Sequence, residues 1–556
     1  MLADDRHVAV ERPQDDVRPG ELGGGRDHEV ECRASVVAVT RVCERVLNLE
    51  SPLENRMIGR EPADGLELLD QRVVLGSGAS VVKGFECNWH AGRNLIAFAA
   101  RCQAIRDIGA ATAIGPAPDR AVSQVDGQWS STIAAVKALI VTFYFPPAGG
   151  GGVQRPLKLA QYLPALGIET HVLAPDDPRW LHRDEGLRMP SQAWVHRARY
   201  IGVSGGKPSE VLAGTQGLER VATRARLQLR RLVVPDENAT WALTAIPVGI
   251  RLVRQHGIDV VLSTSPPGST HLIAAAIARA TGAHWVADLR DSLVAHAHRR
   301  ADTPATKAKA ALHGQVARLV AARADAITCV SEAIAEETRA LEPKGRVVSI
   351  PNGADFDDVA GLERRPSDRF RITHTGSFFG RRDPRPFLQA LHDSELDVVA
   401  RFLGDFRASD RAFAETLGLG DRLELLPFAS RAESLALQRD SEALLLLIPE
   451  AGGRGKGVLS GKVFEYLAVA RPVLAVVPPD GAAAELLRET GAGIVVAPDD
   501  TDAIRGALVE LHGRWCEGGL DDIRLSDDWR DRLSRRTRVE ELAALLRKLG
   551  PVRSRL

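Results

Sequence analysis

The sequence predicts an α/β protein made of two doubly wound, Rossmann-like domains. Two stretches, beginning at Ala138 and Ala443, each combine a short apolar strand, a glycine-rich loop and a helical pattern. Short apolar runs alternate with helical patterns through both halves, which is typical of parallel sheets covered by helices on both faces. At 556 residues the chain is too long for one core, so two or three domains are expected.

The composition is that of an ordinary globular protein, with 44% hydrophobic and 26% charged residues. The 72 Lys and Arg balance the 72 Asp and Glu, so no bulk field favours nucleic acid and no nucleic-acid partner is predicted. The six cysteines show no CxxC or metal spacing, which favours a reduced, cytoplasmic compartment. No apolar run approaches the ~20 residues of a membrane span.

Domain boundaries follow from shifts in this pattern. Residues 1–135 lack sustained hydrophobic periodicity, so we interpret them as a disordered extension of doubtful structure or as sequence upstream of the true start, with Val136 opening the ordered chain. The first domain is predicted over 136–355, the second over 356–535, and a terminal helix and tail over 536–556.

The first domain opens with the predicted strand Ala138–Phe145, which runs through two prolines into four consecutive glycines. Gly150 and Gly151 lie in this loop, just before a helix, in an arrangement suited to cradle a phosphate. A dinucleotide-binding domain would look similar. However, the loop lacks the GxGxxG spacing, and no acidic residue clearly ends the next strand, Thr170–Leu173.

Polar residues follow two further predicted strands, Asp259–Ser263 and His284–Asp288. We expect them to face a cleft at the carboxyl ends of the strands; they are His271, Asp288, Arg290 and Asp291. Two plainer interpretations stay open. A histidine at a helix start is more often a cap or packing residue, and the aspartate and arginine of this group could form only a structural ion pair. Strands at Ala326–Val330 and Val347–Ile350 complete this half.

In the second domain, the predicted strand Phe370–Thr375 delivers Gly376 and Ser377 to the same kind of edge. Three basic residues precede the following helix: Arg381, Arg382 and Arg385. Further strands are predicted at Val398–Leu403 and Leu423–Leu426, and the second of these leads to Phe428.

The central stretch Ala443–Val477 is a strand, a glycine-rich loop that includes Gly457, a helix and a strand. Lys462 and Glu465 lie three residues apart and therefore project from one face of that helix. A cation beside a carboxylate at a glycine-rich loop suits a phosphate beside a ribose diol. The alternative is a solvated lysine–glutamate pair on an amphipathic helix.

Several motifs, among them FYFPPAGGGGVQRPLKLAQYLP, TSPPGSTH, WVADLRD and GKVFEYLAVARPVLAVVPP, resemble those of family 4 glycosyltransferases, retaining enzymes of the GT-B fold. The resemblance spans about residues 136–545, with the motifs in the family's order. It implies that Glu465 holds the nucleotide ribose and that Phe428 contacts the base. At Gly457 many members carry a glutamate that faces the donor sugar.

The same resemblance implies diphosphate binding by the loops around Gly150, Gly151, Gly376 and Ser377, with Arg382 and Arg385 beside them. The implied catalytic groups are Lys462, Arg381, Arg290 and Asp291, and the implied acceptor-side groups are His271 and Asp288. No metal and no cofactor is expected, since the DxD at Asp500–Asp502 opens a helix and is interpreted as a cap.

The function implied is transfer of a sugar, with retention, from a nucleotide-diphospho-sugar donor to a glycan or lipid-linked acceptor. The alternatives are a sugar-nucleotide 2-epimerase of the same fold, a nicotinamide oxidoreductase and a non-catalytic nucleotide-sugar-binding protein. Residues 219–234 mix arginines with apolar residues. They are expected either to form an ordinary helix or to dock the protein on the inner, anionic face of the cell membrane.

Overall fold

The computed structural model describes residues 136–176, 182–201, 233–294, 303–378 and 381–551. These residues form two parallel sheets whose strands are listed here in chain order: β1 (Lys137–Val141), β2 (Glu169–Pro175), β3 (Trp194–Ala198), β4 (Val260–Thr264), β5 (His284–Leu289), β6 (Ala326–Cys329), β7 (Arg346–Ser349), β8 (Phe370–Thr375), β9 (Val398–Leu403), β10 (Leu423–Leu426), β11 (Ala443–Leu447), β12 (Val473–Val476) and β13 (Gly493–Val496).

Each sheet has the strand order of a doubly wound domain. In the described residues the first sheet runs β3-β2-β1-β4-β5-β6-β7 and the second β10-β9-β8-β11-β12-β13. Every pairing within the two sheets is parallel. The chain order reverses at β1/β4 in one sheet and at β8/β11 in the other, which opens a crevice at the carboxyl ends of the strands. The predicted fold class is confirmed.

Helices connect the strands and cover both faces of each sheet. Those described are α1 (Gly151–Tyr162), α2 (Ala242–His256), α3 (Ser269–Thr281), α4 (Pro304–Arg323), α5 (Glu332–Arg339), α6 (Arg385–Ser394), α7 (Ala408–Thr416), α8 (Arg431–Arg439), α9 (Gly461–Val469), α10 (Ala482–Glu489), α11 (Thr501–Cys516), α12 (Asp527–Leu533) and α13 (Arg535–Leu549). Within the described ranges, none is long and apolar enough to cross a membrane.

The central strands are continuous apolar runs because helices bury them on both sides. Every residue of β11 is buried, and each sheet is sandwiched between two separate hydrophobic clusters. Burying each leucine of such a strand contributes about 1.5–3 kcal/mol to folding. This packing holds the loops at the carboxyl ends of the strands in place.

The last helix, α13, leaves the second domain and packs on the first. Its fully buried residues Val539, Leu542 and Leu546 belong to the same cluster as Ile140 of β1 and Leu157 of α1. Where the chain returns, the Ala354 amide donates to Leu533 O at 2.7 Å and the Arg535 amide donates to Ala354 O at 2.9 Å. The two crossings between the domains therefore run side by side.

Two details differ from the predicted elements. Strand β1 ends at Val141 and not at Phe145; beyond Val141 the chain leaves the sheet and runs through Pro146 and Pro147 into the glycine loop. Strand β3 was not predicted. It is a short edge strand whose side chains are mostly partly exposed, so its sequence lacks a continuous apolar run.

Candidate functional site

A cleft of about 1320 Å³ lies where the carboxyl ends of both sheets face each other. One wall comes from the glycine loop before α1 and from the loops after β4 and β5. The other comes from the loops after β8, β9 and β10 and from the glycine-rich loop before α9. Among the predicted site residues, those lining the cleft are Gly150, Gly151, Arg290, Asp291, Gly376, Ser377, Arg382, Phe428, Gly457, Lys462 and Glu465.

Two cations meet on the second-domain wall. Burial and the neighbouring Arg382 lower the pKa of Lys462 to about 7. Burial also lowers the pKa of Arg382 to about 10. In the described part of the chain, Lys462 forms no salt bridge. Positive charge is thus concentrated beside the amino terminus of α9, where an anion would be stabilised by both side chains and by the helix dipole.

Gly376 allows this arrangement. Its φ of +115° lies in the left-handed region that residues with a Cβ rarely adopt. A Cβ placed there would lie 2.8 Å from Lys462 Nζ, so any larger residue would push the lysine away. The lysine can therefore lie directly over the backbone at the end of β8.

The carboxylate of Glu465 is held by an arginine that the sequence did not single out. Arg431 Nη1 donates to Glu465 Oε1 at 2.7 Å, while its Nε donates to Asp358 Oδ2 at 3.1 Å. Burial alone would lower the pKa of Arg431, but Glu465 and Asp358 raise it above its ordinary value. Glu465 is therefore an oriented acceptor at the cleft wall, and the solvated pair with Lys462 is not formed.

Arg431 also links Glu465 to the other domain. Asp358 follows the interdomain crossing and accepts from Lys158 Nζ of α1 at 2.8 Å. The backbone amide of Arg431 donates to Asp184 Oδ2, in a first-domain loop, at 2.8 Å. We call Lys158, Asp358, Arg431 and Glu465 the ionic bridge. Because it spans both walls, the position of Glu465 depends on how the two domains meet.

Phe428 lines the cleft and contacts the first domain. Its ring stacks on His182 of the first domain, with centroids 4.2 Å apart and an interplanar angle of 9°. His182 Nε2 lies 3.3 Å from Asp405 Oδ2 across the cleft. A Cβ at Gly149 would approach Phe428 Cζ to 2.8 Å, so the glycine loop is what admits the ring.

Arg290 organises the first-domain wall. It donates to the backbone carbonyls of Ser265, Gly152 and Pro266, the second at 2.7 Å. Burial lowers the pKa of Arg290, which the nearby Asp288 and Asp291 oppose. Arg290 thus joins the glycine loop to the loop after β4.

The structure corrects the placement of His271 and Asp288, which do not line the cleft in the described residues. His271 is fully buried, and its Nδ1 lies 2.9 Å from Ser263 Oγ. Burial lowers its pKa to about 4, so the ring is neutral. This is the packing role that the plainer interpretation described.

Asp288 is also fully buried, and its partner is Arg155 and not Arg290. Arg155 donates to both carboxylate oxygens, at 3.0 and 2.8 Å, and the hydroxyls of Thr264 and Thr328 each donate at 2.7 Å. Burial would raise the pKa of Asp288, but Arg155 and these hydroxyls hold it below its usual range. Asp288 supports the wall from behind by fixing Arg155.

Two of the three predicted arginines also lie away from the cleft. Arg385 is exposed and paired with Asp383, with Nε–Oδ1 at 2.8 Å, and neither it nor Arg381 lines the cleft among the described residues. Arg385 is the first residue of α6. Of the basic cluster, Arg382 is the residue that reaches the site.

Gly457 faces the first domain. A Cβ at this position would lie 2.8 Å from Ala333 Cβ of α5. A glutamate there would need the walls to move apart, so the carboxylate that many family 4 members carry has no room in this arrangement.

Sequence reasoning missed Arg431, His182 and Gln154. Gln154 lines the cleft from α1, and its buried Oε1 has no hydrogen-bond partner among the described residues. Each lies near a helix start or in a surface loop, where polar residues are common and need no functional role. Only the tertiary fold brings these residues to the site. Residues 219–232 of the predicted membrane-docking segment lie outside the described residues.

Comparison with known proteins agrees with this geometry. The family model of the glycosyl transferase 4-like domain matches residues 150–353. A sucrose-phosphate synthase from Thermosynechococcus elongatus is similar with a TM-score of 0.50 and 14% identity, covering 74% of this chain and 99% of that chain. A glycosyltransferase from Rickettsia africae gives a TM-score of 0.50 and 12% identity, covering 75% of this chain and 99% of that chain.

A UDP-GlcNAc 2-epimerase from Methanocaldococcus jannaschii has a lower TM-score of 0.41 and 10% identity, covering 74% of this chain and 100% of that chain. No curated protein sequence matches. The resemblance to family 4 glycosyltransferases is confirmed: the protein has the GT-B fold, and residues 150–353 of its first domain match the glycosyl transferase 4-like family model.

Proposed function

We propose that the protein transfers a glycosyl group from a nucleotide-diphospho-sugar to an acceptor, with retention of configuration. The observation that carries the proposal is the pair Lys462 and Arg382, two cations whose pKa values burial lowers, beside the amino terminus of a helix in an interdomain cleft. A diphosphate placed there would favour the charged forms of both side chains.

The donor is placed by the second domain. Its diphosphate lies against Lys462, Arg382 and the backbone after Gly376, its ribose hydroxyls donate to Glu465, and its base lies near Phe428. Charge-assisted hydrogen bonds of this kind contribute about 1.5–3 kcal/mol each.

Catalysis in this arrangement rests on stabilising the leaving group. The bond between the sugar and the diphosphate breaks, negative charge grows on the diphosphate, and Lys462 and Arg382 stabilise it more in the transition state than in the ground state. The acceptor hydroxyl attacks from the face the diphosphate leaves and gives its proton to a diphosphate oxygen. No protein nucleophile, metal or cofactor is needed.

The test is to mix the full chain with UDP-, GDP- and ADP-sugars, with and without glycan acceptors, and to follow nucleoside diphosphate and anomeric configuration by NMR. Transfer predicts diphosphate release that depends on acceptor and a product with the donor's configuration. Conversion of the donor sugar without acceptor would identify a 2-epimerase instead. Binding without turnover under all conditions would identify a non-catalytic binding protein.

Lys462→Met and Arg385→Met form a matched pair for the site. The first removes a cation from the cleft wall, and the second removes the exposed arginine paired with Asp383. Loss of turnover is expected in Lys462→Met alone. Equal turnover in the two variants would contradict the proposed diphosphate site.

We further propose that the acceptor is a lipid-linked glycan met at the inner, anionic surface of the cell membrane, with docking through residues 219–234. Five arginines in this segment, each worth about 1 kcal/mol near an anionic leaflet, suffice for reversible binding. Co-sedimentation with anionic vesicles should be lost when Arg224, Arg230 and Arg231 are changed to Glu. Equal sedimentation of the two proteins, or none for either at low salt, would contradict docking through this segment.

A further inference from the structure

Three histidines converge in the first domain, away from the cleft. His171 lies on β2, His196 on the edge strand β3 and His256 at the end of α2. One ring nitrogen of each lies within 4.8 Å of those of the other two. His171 and His196 lie 25 residues apart in the chain, and His196 and His256 lie 60 residues apart, so no short sequence motif predicts the cluster.

The rings are arranged around a common point. His171 and His196 are nearly parallel, with centroids 5.3 Å apart, while His256 is tilted by 41° to His171 with centroids 4.5 Å apart. His171 Nδ1 lies 3.0 Å from His196 Nε2. A hydrogen bond between those two atoms explains why His171 and His196 lie close together. That hydrogen bond does not explain why His256 lies beside them, since its ring has no hydrogen bond among the described residues.

A carboxylate orients the innermost ring. Glu169 Oε1 lies 3.0 Å from His171 Nε2, and Glu169 Oε2 is paired with Lys137 Nζ at 3.0 Å. With its Nε2 hydrogen directed to Glu169, His171 turns the Nδ1 lone pair towards the other two histidines. A carboxylate behind a histidine in this way is the usual support of a metal-ligating imidazole.

We propose that His171, His196 and His256 bind one Zn²⁺ ion, with a fourth position open to water. Zinc–nitrogen bonds of about 2.0–2.1 Å in a tetrahedron place the nitrogens about 3.3 Å apart. Small side-chain rotations reach this spacing from 3.0 Å between His171 and His196 and from within 4.8 Å for His256. His196 and His256 are partly exposed, which gives the ion an entry path.

Such an ion would tie β3 to the rest of the domain. Four of the five residues of β3 are at least partly exposed, and β3 pairs with β2 alone in the described sheet. A bond from His196 through zinc to His256 would join this edge strand to α2. None of the three histidines lines the cleft, so the site is independent of the proposed transferase activity.

The experiment strips the full chain with EDTA, titrates it with Zn²⁺ by calorimetry and records the visible spectrum of the Co²⁺ form. His256→Asn removes a partly exposed ligand with little change in packing. His284→Asn removes a comparable partly exposed histidine, next to Asp325, from outside the cluster.

The wild type and His284→Asn are expected to bind one ion with tetrahedral Co²⁺ bands, and Zn²⁺ should raise the Tm of both. His256→Asn should lose the bands, and Glu169→Gln should weaken Zn²⁺ binding by about 10–100-fold. Absence of stoichiometric binding in the wild type, or equal binding by His256→Asn, would overturn the proposal.

Discussion

Arg431 donates to Glu465 at 2.7 Å and so fixes the carboxylate that faces the cleft. The same guanidinium donates to Asp358, which Lys158 of the other domain also holds. Arg431 thereby orients Glu465, the residue proposed to bind the nucleotide, without having to contact the nucleotide itself.

Changing Arg431 to Met should weaken nucleotide binding and should reduce the preference for ribose over 2′-deoxyribose, because Glu465 loses its orientation. We expect a loss of ~1–3 kcal/mol in binding, comparable to an unsatisfied buried hydrogen bond. Calorimetry with the tightest-binding nucleoside diphosphate and its 2′-deoxy analogue measures both. Arg439→Met, on the same helix but paired with Asp522, is the control. An unchanged sugar preference in Arg431→Met would exclude a positioning role.

Changing Glu465 to Gln keeps an acceptor for Arg431 but removes the charge. Nucleotide affinity should fall by ~1–2 kcal/mol, because hydrogen bonds to a charged acceptor exceed those to a neutral one by about that amount. The Tm should fall less than in Glu465→Ala, which leaves Arg431 without this partner. Affinity equal to that of the wild type would show that Glu465 pairs with Arg431 in the ionic bridge but does not bind the nucleotide.

Nucleotide binding should take up a proton near pH 8. With its pKa lowered to about 7, Lys462 is about nine-tenths deprotonated at that pH, and a bound diphosphate favours the charged form. Affinity should therefore decrease up to about tenfold for each pH unit above 7. Calorimetry in buffers of different ionisation enthalpy counts the proton. Uptake should vanish in Lys462→Met and persist in Lys456→Met, whose lysine pairs with Asp480.

The lowered pKa of Lys462 also makes the stability of the folded protein depend on pH. Between pH 7 and the ordinary value of 10.5, the unfolded chain binds more protons at Lys462 than the folded chain does. The cost of burying the ammonium is therefore complete below about pH 7 and is relieved as pH rises through that window. Lys462→Met should gain more stability over the wild type at pH 6 than at pH 9, as measured by urea unfolding. A gain that does not change with pH would contradict this.

Gly376→Ala should lower both stability and nucleotide affinity, because the left-handed backbone strains any residue with a Cβ and the new methyl displaces Lys462. The strain amounts to about 1–3 kcal/mol. Gly461→Ala, at the start of α9 with open space at its Cβ, is the matched control and should leave stability nearly unchanged. Urea unfolding and nucleotide titration of both variants test this. Equal effects of the two substitutions would argue against the close approach of Lys462.

Asp288→Asn should destabilise the protein by about 3–5 kcal/mol, because it leaves the Arg155 charge buried without its carboxylate. The turnover of the molecules that remain folded should change little. Asp291→Asn, at the cleft, should show the reverse pattern of a stable protein with reduced turnover. Thermal unfolding and steady-state kinetics on the two variants separate a supporting aspartate from a cleft aspartate.

The fold could be predicted from sequence because continuous apolar strands such as β11, bounded by glycine and proline, have few competing interpretations. Lys462 and Glu465 could be placed for the same reason, since they follow a strand and a glycine-rich loop at fixed spacing. The missed strand β3 has polar residues because it lies at the sheet edge. Local patterns predict local structure.

The partners of these residues could not be predicted in this way. Arg431 lies 34 positions from Glu465, and Asp288 lies 133 positions from Arg155. Adjacent residues such as Arg381 and Arg382 differ in whether they reach the cleft, which depends on how the loop after β8 folds. The pairing of charged residues depends on tertiary contacts, and the spacing of residues in the sequence gives little indication of it.

The return of α13 to the first domain affects how the chain folds during synthesis. The ribosome completes the first seven strands early, but one hydrophobic cluster of their sheet, which α1 partly covers, is not completed until Val539, Leu542 and Leu546 emerge. The second domain has by then been fully synthesised and can fold on its own core. The domain made first is therefore the last to be finished, and a chain that stops before α13 would leave an apolar surface open to aggregation and proteolysis.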